Sequence, residues 1–252
     1  MKVSIHPDYE YLRDDVMRIV AGDYVANKVF CHKRNIVERV TMQGKEFVVK
    51  CYKRPNFFNR VVYTCFRGSK ARRAYEHALR LLECGIDTPF PVAYVEIKKG
   101  GLFSTGYFIS EYMPYNLMSD AYAGLVTEGE VHRLTKEFMD FTLKMHAMKV
   151  LPLDFNSSNI FYHVDEESGA YRFALTDINR MRFGKLPSTS DAMRSFEQFG
   201  VPTERLYKLA VYYCSRKNSD IEYSIFIFLF HRIRGRVQRR LKRKVKSRLQ
   251  LL

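Results

Sequence analysis

The sequence predicts an α+β fold with two lobes, a β-rich N-terminal lobe built around one key helix and a mainly helical C-terminal lobe. Two β-rich stretches, residues 28–52 and 92–112, support the first lobe. A strongly periodic helical segment, residues 69–84, lies between them. After the second stretch the sequence is mostly helical. We therefore expect lobes of residues 1–112 and 113–252.

The first lobe is predicted to begin with a short helical lead-in over residues 1–20. Runs of β-branched and aromatic residues then predict strands at 28–32, 36–41, 47–52, 92–97 and 106–112. In residues 69–84, alanine, tyrosine and leucine recur at three- and four-residue spacings, and Gly85 follows as a C-terminal stop. This segment is the key helix of the lobe.

The second lobe is predicted to follow a hinge near residues 111–114. Residues 128–148 form a long amphipathic pattern that is typical of a helix. A loop and a short strand come next, and a second strand over residues 171–176 ends at Asp177. The remainder is predicted to be mostly helical, with a last helix at about residues 231–252.

Composition excludes several classes of protein. The N-terminus has no apolar run typical of a secretory signal, and the longest strongly apolar stretch, Ile225–Phe230, is far shorter than the roughly 20 residues that span a bilayer. The 5 cysteines are widely spaced and form no CxxC pair. This pattern argues against a disulfide framework or a zinc site and favours the cytosol.

Four polar residues occur in the order and spacing that phosphoryl transfer requires. Lys50 lies in a predicted strand within Val-Val-Lys, and Asp154 and Asn159 have the D-x-x-x-x-N spacing of a catalytic loop. Asp177 ends a strand eighteen residues after Asn159. In such sites a strand lysine binds the α- and β-phosphates of ATP, and a loop aspartate orients or deprotonates the attacking hydroxyl. Asn159 and Asp177 supply the hard oxygen ligands that Mg²⁺ prefers.

Three further residues complete the predicted nucleotide site. A glutamate of the key helix is expected to fix Lys50, and Glu76 in the middle of the helix is preferred over Glu83 near its end. Glu111 and Met113, at the predicted hinge, are expected to contact the nucleotide. The cofactors expected are therefore ATP and Mg²⁺.

At these residues the sequence resembles one family, the lipopolysaccharide core kinases that phosphorylate Kdo or heptose. Leu153-Asp-Phe-Asn-Ser-Ser-Asn-Ile-Phe is similar to the catalytic loop of that family, H-x-D-F-S-P-G-N-I-L. Thr176-Asp-Ile-Asn-Arg-Met-Arg-Phe is similar to its D-x-D/N-R-x-R-F segment, and Glu83–Tyr94 to its G-I-x-T-P-x-P segment. The similarity runs from about Lys28 to Phe183 and resembles Bacteroidetes-type members in detail.

The resemblance implies a protein-kinase-like fold and an enzyme that transfers phosphate from ATP to an alcohol group. The acceptor it implies is a sugar hydroxyl of the lipopolysaccharide inner core, Kdo or heptose. It also implies a cytoplasmic protein that is peripheral at the inner membrane, where its glycolipid acceptor lies.

The sequence departs from the kinase pattern in two places. It has no G-x-G-x-x-G in its first strands, so phosphate covering is expected to fall to backbone amides and basic groups around Lys33, Arg34 and Asn35. Pro152 stands where the catalytic loop usually has histidine. His146, eight residues before Asp154, is interpreted as a buried structural histidine in preference to a catalytic base.

Several basic residues have two interpretations. Arg180 and Arg182 either contact the phosphate or sugar of the substrate or tether the loop after Asp177. Lys70, Arg72 and Arg73 either contact an acidic substrate or form a solvated helix face, and the second is preferred.

The C-terminal segment carries most of the net charge of +15, with ten Lys or Arg residues and no acid from His231 to Leu252. Apolar residues recur in it at every fourth position: Ile233, Val237, Leu241, Val245 and Leu249. A basic amphipathic helix of this kind either binds an anionic membrane surface or packs its stripe on the protein. Membrane binding is preferred. Nucleic acid is disfavoured as the partner of this charge because no nucleic-acid motif accompanies it.

Two other functions remain open at this point. The same fold could phosphorylate a protein or small-molecule hydroxyl. Alternatively, Pro152 and the absent glycine-rich loop could mark a degenerate kinase-like fold that acts as a membrane-bound binding module.

Overall fold

The structure is a computed structural model that describes residues 1–32 and 35–249, with side chains as far as Leu241. The chain divides into two compact units. The first unit consists of Met1–Pro114 and Ala174–Arg180, and the second of Tyr115–Phe173 and Met181–Leu252. Asp177 therefore belongs to the same unit as Lys50.

The first unit contains a six-stranded antiparallel sheet. Its strands are Lys2–Ile5 (β1), Lys28–His32 (β2), Asn35–Met42 (β3), Lys45–Tyr52 (β4), Pro91–Lys99 (β5) and Leu102–Glu111 (β6). Their spatial order is β1-β5-β6-β4-β3-β2. Because β4 pairs with β3 on one side and β6 on the other, the backbone around Lys50 is fixed along both edges.

The predicted helical lead-in is wrong at its start. Residues Lys2–Ile5 form β1, which pairs antiparallel with β5 and places Val3 opposite Val95. Helix begins only after this strand, with a 3-10 turn at Pro7–Leu12 and the α-helix Arg13–Ala21 (α1). Four residues are too short for a period-2 pattern to be recognised, and the free edge of β5 decides the outcome.

Successive side chains of β4 point to opposite faces of the sheet. Phe47 and Val49 pack in an apolar cluster with Leu12, Val16 and Ile19 of the α1 region. Tyr52, on the other face, packs with residues of the helix Lys70–Glu83 (α3). Lys50 shares the face of Tyr52, so it lies on the side of the sheet that carries α3.

The helix α3 follows the prediction for residues 69–84 within one residue at each end. Ser69 caps its N-terminus by accepting a hydrogen bond from the Arg72 amide at 3.1 Å. Gly85 follows the helix with a left-handed φ of 66°, which a glycine adopts at little cost.

A second helix, Phe57–Cys65 (α2), is not predicted from the sequence. Its only buried residue is Arg60, so it has no apolar stripe from which a helix could be recognised. Instead, the buried Arg60 guanidinium donates hydrogen bonds to the carbonyls of Phe103 at 2.9 Å and Lys99 at 3.0 Å. These bonds attach α2 to the β5–β6 hairpin.

The second unit is mainly helical, as predicted. Its elements are Asn116–Leu117 (β7), Met118–Asp120 (α4), Glu128–Ala147 (α5), Val150–Pro152 (β8), Ile160–Val164 (β9), Tyr171–Leu175 (β10), Met181–Phe183 (β11), Thr189–Glu197 (α6), Thr203–Arg216 (α7) and Ile221–Leu249 (α8). The last two residues of β10 belong to the first unit. The α+β prediction, with a β-rich first part and a helical second part, is confirmed.

Aromatic rings form the centre of the second unit. The ring of Phe138 on α5 stacks on those of Phe155 at 5.5 Å and Phe199 at 5.3 Å. Phe155 directly follows Asp154 and is only 1% exposed. Burial of this ring therefore fixes the loop that carries Asp154 to the core.

The last helix is longer than predicted. It begins at Ile221, ten residues before the predicted start, and is described as far as Leu249. Phe228 and Ser224 are fully buried, so the first turns of α8 belong to the core of the unit. No helix in the described part of the chain is long and apolar enough to span a membrane.

Replacing Arg60 with methionine tests whether hydrogen bonds hold α2 in place. Arg60→Met keeps an apolar stem but removes a charged donor from two carbonyls, and we expect a loss of about 2 kcal/mol in the free energy of unfolding. Urea denaturation would measure this loss. Arg67→Met, at an exposed position just after α2, is the control. Equal midpoints for the two variants would contradict the role given to Arg60.

Candidate active site

Lys50 and Asp177 form an ion pair in the first unit. Lys50 Nζ lies 2.6 Å from Asp177 Oδ1, and the two side chains are 15% and 31% exposed. Lys50 is held by the paired strand β4, and Asp177 follows the end of β10. The structure therefore brings together two of the sequence-predicted site residues, which are 127 positions apart in the chain.

Asp177 has an unusual backbone. Its φ of 51° lies in the left-handed region, where aspartate is tolerated better than most residues other than glycine. Its Oδ1 also accepts a hydrogen bond from Asn179 Nδ2 at 2.5 Å. Both contacts therefore converge on one carboxylate oxygen, and they orient the side chain of a residue whose backbone conformation is itself sparsely populated.

The residues after Asp177 are attached to α3 by two hydrogen bonds. Arg73 Nη1 donates to the carbonyl of Asn179 at 3.0 Å, and His77 Nδ1 donates to the carbonyl of Ile178 at 2.7 Å. Burial is the main cause that lowers the pKa of His77, which favours the neutral ring with its proton on Nδ1. Helix α3 thus positions the segment that carries Asp177.

The predicted contact between Glu76 and Lys50 is not formed. Glu76 pairs with Arg72, one turn earlier on α3, at 2.7 Å, and its side chain is about half exposed. Glu83 is exposed at the end of the helix. The α3 positions that contact the Asp177 segment are Arg73 and His77, so the helix presents a basic residue and a histidine there. The carboxylate that holds Lys50 comes from Asp177.

Asp154 and Asn159 lie together in a tight loop of the second unit. Asn159 Nδ2 donates to the carbonyl of Asp154 at 3.1 Å, and the Asn159 amide donates to the carbonyl of Asn156 at 2.8 Å. Asn156 in turn caps the short 3-10 turn Ser157–Asn159. The loop is therefore closed on itself, and the Asp154 carboxylate is partly exposed beside its buried neighbour Phe155.

Pro152, which replaces the catalytic-loop histidine, lies in a strand. It ends β8, which pairs with β11 and places Pro152 opposite Met181. Pro152 has no backbone donor, but this strand pair forms nevertheless. The strand before Asp154 is thus held without the histidine.

Arg182 lies next to Met181 on β11 and acts as a tether. Its Nη1 and Nη2 donate to Asp191 Oδ1 and Oδ2 at 3.1 Å and 2.6 Å, a bidentate pair. This pair is the main cause that holds the pKa of Asp191 well below its usual range. Of the two interpretations given for Arg182, the contacts favour the tether. Arg180 is exposed.

The predicted hinge residues lie at the end of the first unit. Glu111 is the last residue of β6 and accepts a hydrogen bond from the Tyr9 hydroxyl. Its backbone amide donates to the carbonyl of Phe90 at 2.9 Å. Met113 is partly buried. Lys33 and Arg34, predicted to cover the phosphates, lie outside the described residues, and Asn35 begins β3.

Each of the two predicted magnesium ligands keeps an oxygen of the hard type that Mg²⁺ prefers. In the first unit, the contacts of the Asp177 carboxylate with Lys50 and Asn179 both end on Oδ1, so neither uses Oδ2. In the second unit, Asn159 donates through Nδ2, so that bond does not use its Oδ1. Within residues 1–32 and 35–249, no cluster of three or more His, Cys, Asp or Glu side chains is arranged to hold a metal.

His146 is buried in the second unit, as interpreted from the sequence. Its Nδ1 is 2.8 Å from the Tyr213 hydroxyl, and its Nε2 has no hydrogen-bond partner among the described residues. Burial, followed by the charge of Lys217, lowers the pKa of His146 to about 3, with Asp191 and Arg182 making smaller opposed contributions. The ring is therefore neutral and structural.

Comparisons with known proteins give the fold. No family model matches the chain, and no curated protein matches its sequence. Among solved structures, the chain is similar to "WaaP in complex with acyl carrier protein", with a TM-score of 0.63 and 13% sequence identity. The match covers 94% of this chain and 98% of that one. The chain therefore has a kinase-like fold, which it shares with WaaP.

A neutral buried histidine makes stability depend on pH. Because the pKa of His146 is near 6.5 in the unfolded chain and lowered in the folded one, unfolding takes up a proton as pH falls below about 6.5. We expect His146 to cost roughly 1–2 kcal/mol of stability between about pH 6.5 and pH 5.

Urea denaturation of wild type and His146→Gln at both pH values would measure this cost. His132→Gln, at an exposed position of the same helix, is the matched control. The loss of stability on acidification should be smaller in His146→Gln only. The same loss in all three proteins would show that His146 does not titrate on unfolding.

Proposed function

We propose that this protein is a phosphotransferase that transfers the γ-phosphate of ATP to an alcohol group. The observation that carries this proposal is the Lys50–Asp177 ion pair, fixed by α3 and β4 in a chain with a kinase-like fold. Lysine and aspartate have distinct tasks in phosphoryl transfer, and here each holds the other in a defined position.

Each residue would contribute one physical effect. The Lys50 ammonium neutralises charge on the α- and β-phosphates of ATP. Asp177 and Asn159 would hold Mg²⁺, which when bound neutralises the phosphate oxygens. Asp154 orients the acceptor hydroxyl and accepts its proton. Glu76 has no part in this proposal because its carboxylate is bound to Arg72.

For the acceptor, we propose a sugar hydroxyl of the lipopolysaccharide inner core, Kdo or heptose. The sequences around Asp154 and Asp177 support this choice through their resemblance to lipopolysaccharide core kinases. The fold shared with the kinase WaaP is compatible with it. A protein or small-molecule acceptor is the alternative.

We further propose that α8 attaches the protein to an anionic membrane, at the cytoplasmic face of the inner membrane. The stripe residues whose side chains are described, Ile233, Val237 and Leu241, are 63%, 49% and 58% exposed. Val245 and Leu249 lie outside the described side chains. The exposed stripe supports membrane binding over packing on the protein.

The longer helix extends this stripe. At 100° per residue, Phe226, Leu229 and Phe230 fall on the same face of α8 as Ile233, and all three are exposed. The opposite face is held by the protein, where Arg239 lies 2.8 Å from Glu197. Exposed Arg234 borders the stripe, and exposed Arg240 lies within its angular range. Apolar side chains bordered by arginines suit the headgroup region of an anionic bilayer.

Transfer of labelled γ-phosphate from Mg·ATP to core glycolipid tests the activity. We expect Asp154→Asn to lower the rate at least about 100-fold, because it removes the base and leaves the shape of the side chain. Asp177→Asn should also weaken stabilisation of the protein by Mg·ATP. Asp14→Asn, at an exposed position of α1, is the charge-matched control.

The outcomes of this assay separate the alternatives. Nucleotide binding without transfer to glycolipid would contradict the proposed acceptor and favour a protein or small-molecule hydroxyl. Absence of nucleotide binding in the wild type would contradict the phosphotransferase and favour the binding module.

Flotation with vesicles tests the membrane proposal. The triple variant Ile233→Ala, Val237→Ala, Leu241→Ala keeps helix propensity, since alanine is the best helix former, but truncates three apolar side chains of the stripe. We expect at least about tenfold weaker binding to vesicles with anionic lipid, and wild-type binding that weakens with salt. Gln238→Ala is the control. Unchanged binding of the triple variant would contradict the proposal.

A further inference from the structure

A pocket of about 400 Å³ with both polar and aromatic lining residues lies in the first unit beside the end of β4. The first residues of α2 and α3 also contribute to it. Six of its lining residues carry charged or amide side chains: Asn35, Lys53, Arg54, Asn56, Asn59 and Lys70. We call these residues, with the space they enclose, the anion pocket.

The charge of the anion pocket is entirely positive. Three of its lining residues are Lys or Arg, and no carboxylate lines it. Arg39 and Arg72, in the same unit, pair instead with Glu46 and Glu76. Lys53 and Arg54 are exposed and form no ion pair with any residue that the structure describes. Two exposed cations, Lys53 and Arg54, that lack an acidic partner among the described residues favour an anionic ligand.

Side-chain amides add neutral donors to these charges. Asn56 Oδ1 accepts the amide hydrogen of Asn59 at 3.0 Å and caps α2, so its Nδ2 remains as a donor. The α2 N-terminus also brings partial positive charge to the same place. Charged groups together with amide donors are the combination that binds phosphate oxygens.

The apolar part of the lining is aromatic and comes from Tyr52, Tyr63 and Phe103. The Tyr52 ring is buried, and its hydroxyl has no hydrogen-bond partner among the described residues. Aromatic side chains beside phosphate-binding groups suit a ligand that carries a sugar ring as well as a phosphate.

The anion pocket is distinct from the expected position of the nucleotide phosphates. Neither Lys50 nor Asp177 lines it. The two places are nevertheless neighbours, because the Lys50 and Lys70 ammonium groups lie 5.5 Å and 5.9 Å from the centroid of the same Tyr52 ring. A second phosphate-bearing ligand can therefore be bound close to Lys50.

We propose that the anion pocket binds a phosphate group carried by the sugar acceptor. The identity of the acceptor rests on the proposed function; the preference of the pocket for phosphate does not. The pocket would increase the affinity for a phosphorylated acceptor and leave the chemical step to Lys50, Asp154 and Asp177.

Charge reversal in the full chain provides the first test. Inorganic pyrophosphate is titrated by calorimetry into wild type, Lys53→Glu/Arg54→Glu and Lys98→Glu/Lys99→Glu, all with Mg²⁺ and a saturating non-hydrolysable ATP analogue. The control pair is exposed, lies in the same unit and changes the net charge equally. We expect at least about tenfold weaker binding in the first variant only, with analogue affinity within about twofold of wild type.

Steady-state transfer provides the second test, with phosphorylated core glycolipid and the same glycolipid after phosphatase treatment. Lys53→Glu/Arg54→Glu should raise KM about tenfold for the phosphorylated acceptor, with kcat and the KM of the treated acceptor within about twofold. Pyrophosphate binding that the ATP analogue abolishes, or that both double variants weaken equally, would overturn the proposal. A further outcome is that Lys53→Glu/Arg54→Glu selectively loses pyrophosphate binding while wild type transfers no phosphate to glycolipid. That combination would support the anion pocket and reject the proposed acceptor.

Discussion

Asp177 Oδ1 lies 2.6 Å from the Lys50 ammonium, and this ion pair is the centre of the predicted nucleotide site in the first unit. The contacts made by β4 and α3 keep these two charged groups in place. The strand β4 fixes Lys50 because it is paired along both edges. Asp177 has no such support, since it follows the end of β10 with a left-handed backbone. Contacts from outside the strand are therefore needed to hold its carboxylate.

Helix α3 supplies those contacts. Arg73 and His77 donate to the carbonyls of Asn179 and Ile178, the two residues that follow Asp177, so they act on the backbone. In the pattern expected from the sequence, a helix glutamate holds the lysine directly. Here the helix holds the segment, and the segment holds the lysine. Disturbing α3 would therefore displace Asp177 before it affected Lys50.

Much of the fold could be predicted because burial imposes a period on the sequence. The strand β4 and the helices α3 and α5 bury periodic positions, and each is predicted within two residues of its observed bounds. The bounds of β2, β3 and β5 are also predicted within two residues, whereas β6 begins four residues before its predicted start. Helix α2 could not be predicted, because hydrogen bonds from Arg60 hold it in place of an apolar stripe. The strand β1 was missed because its formation depends on the edge of β5.

Prediction of the site was limited by helix phase. Spacing alone placed Lys50 and Asp177 in one chemical site, and the structure pairs them. The choice of Glu76 rested on its place in the middle of α3, yet a residue's contacts depend on its angle around the helix axis. Arg73 and His77, four positions apart, share the face that contacts the Asp177 segment. Nothing in the sequence fixes which face that is.

The excess of positive charge cannot be treated as one binding surface. On α8, Arg232 donates to the Thr203 hydroxyl and Arg239 pairs with Glu197, so part of the basic face stabilises the contact with α6 and α7. Gly235 belongs to the same contact, since a Cβ there would lie 2.5 Å from Glu197 Oε1. Arginines that already have partners lose those contacts when they bind a membrane or substrate. Cations without acidic partners, such as Lys53 and Arg54, lose no such contact, and this difference makes them the better candidates for binding an anionic ligand.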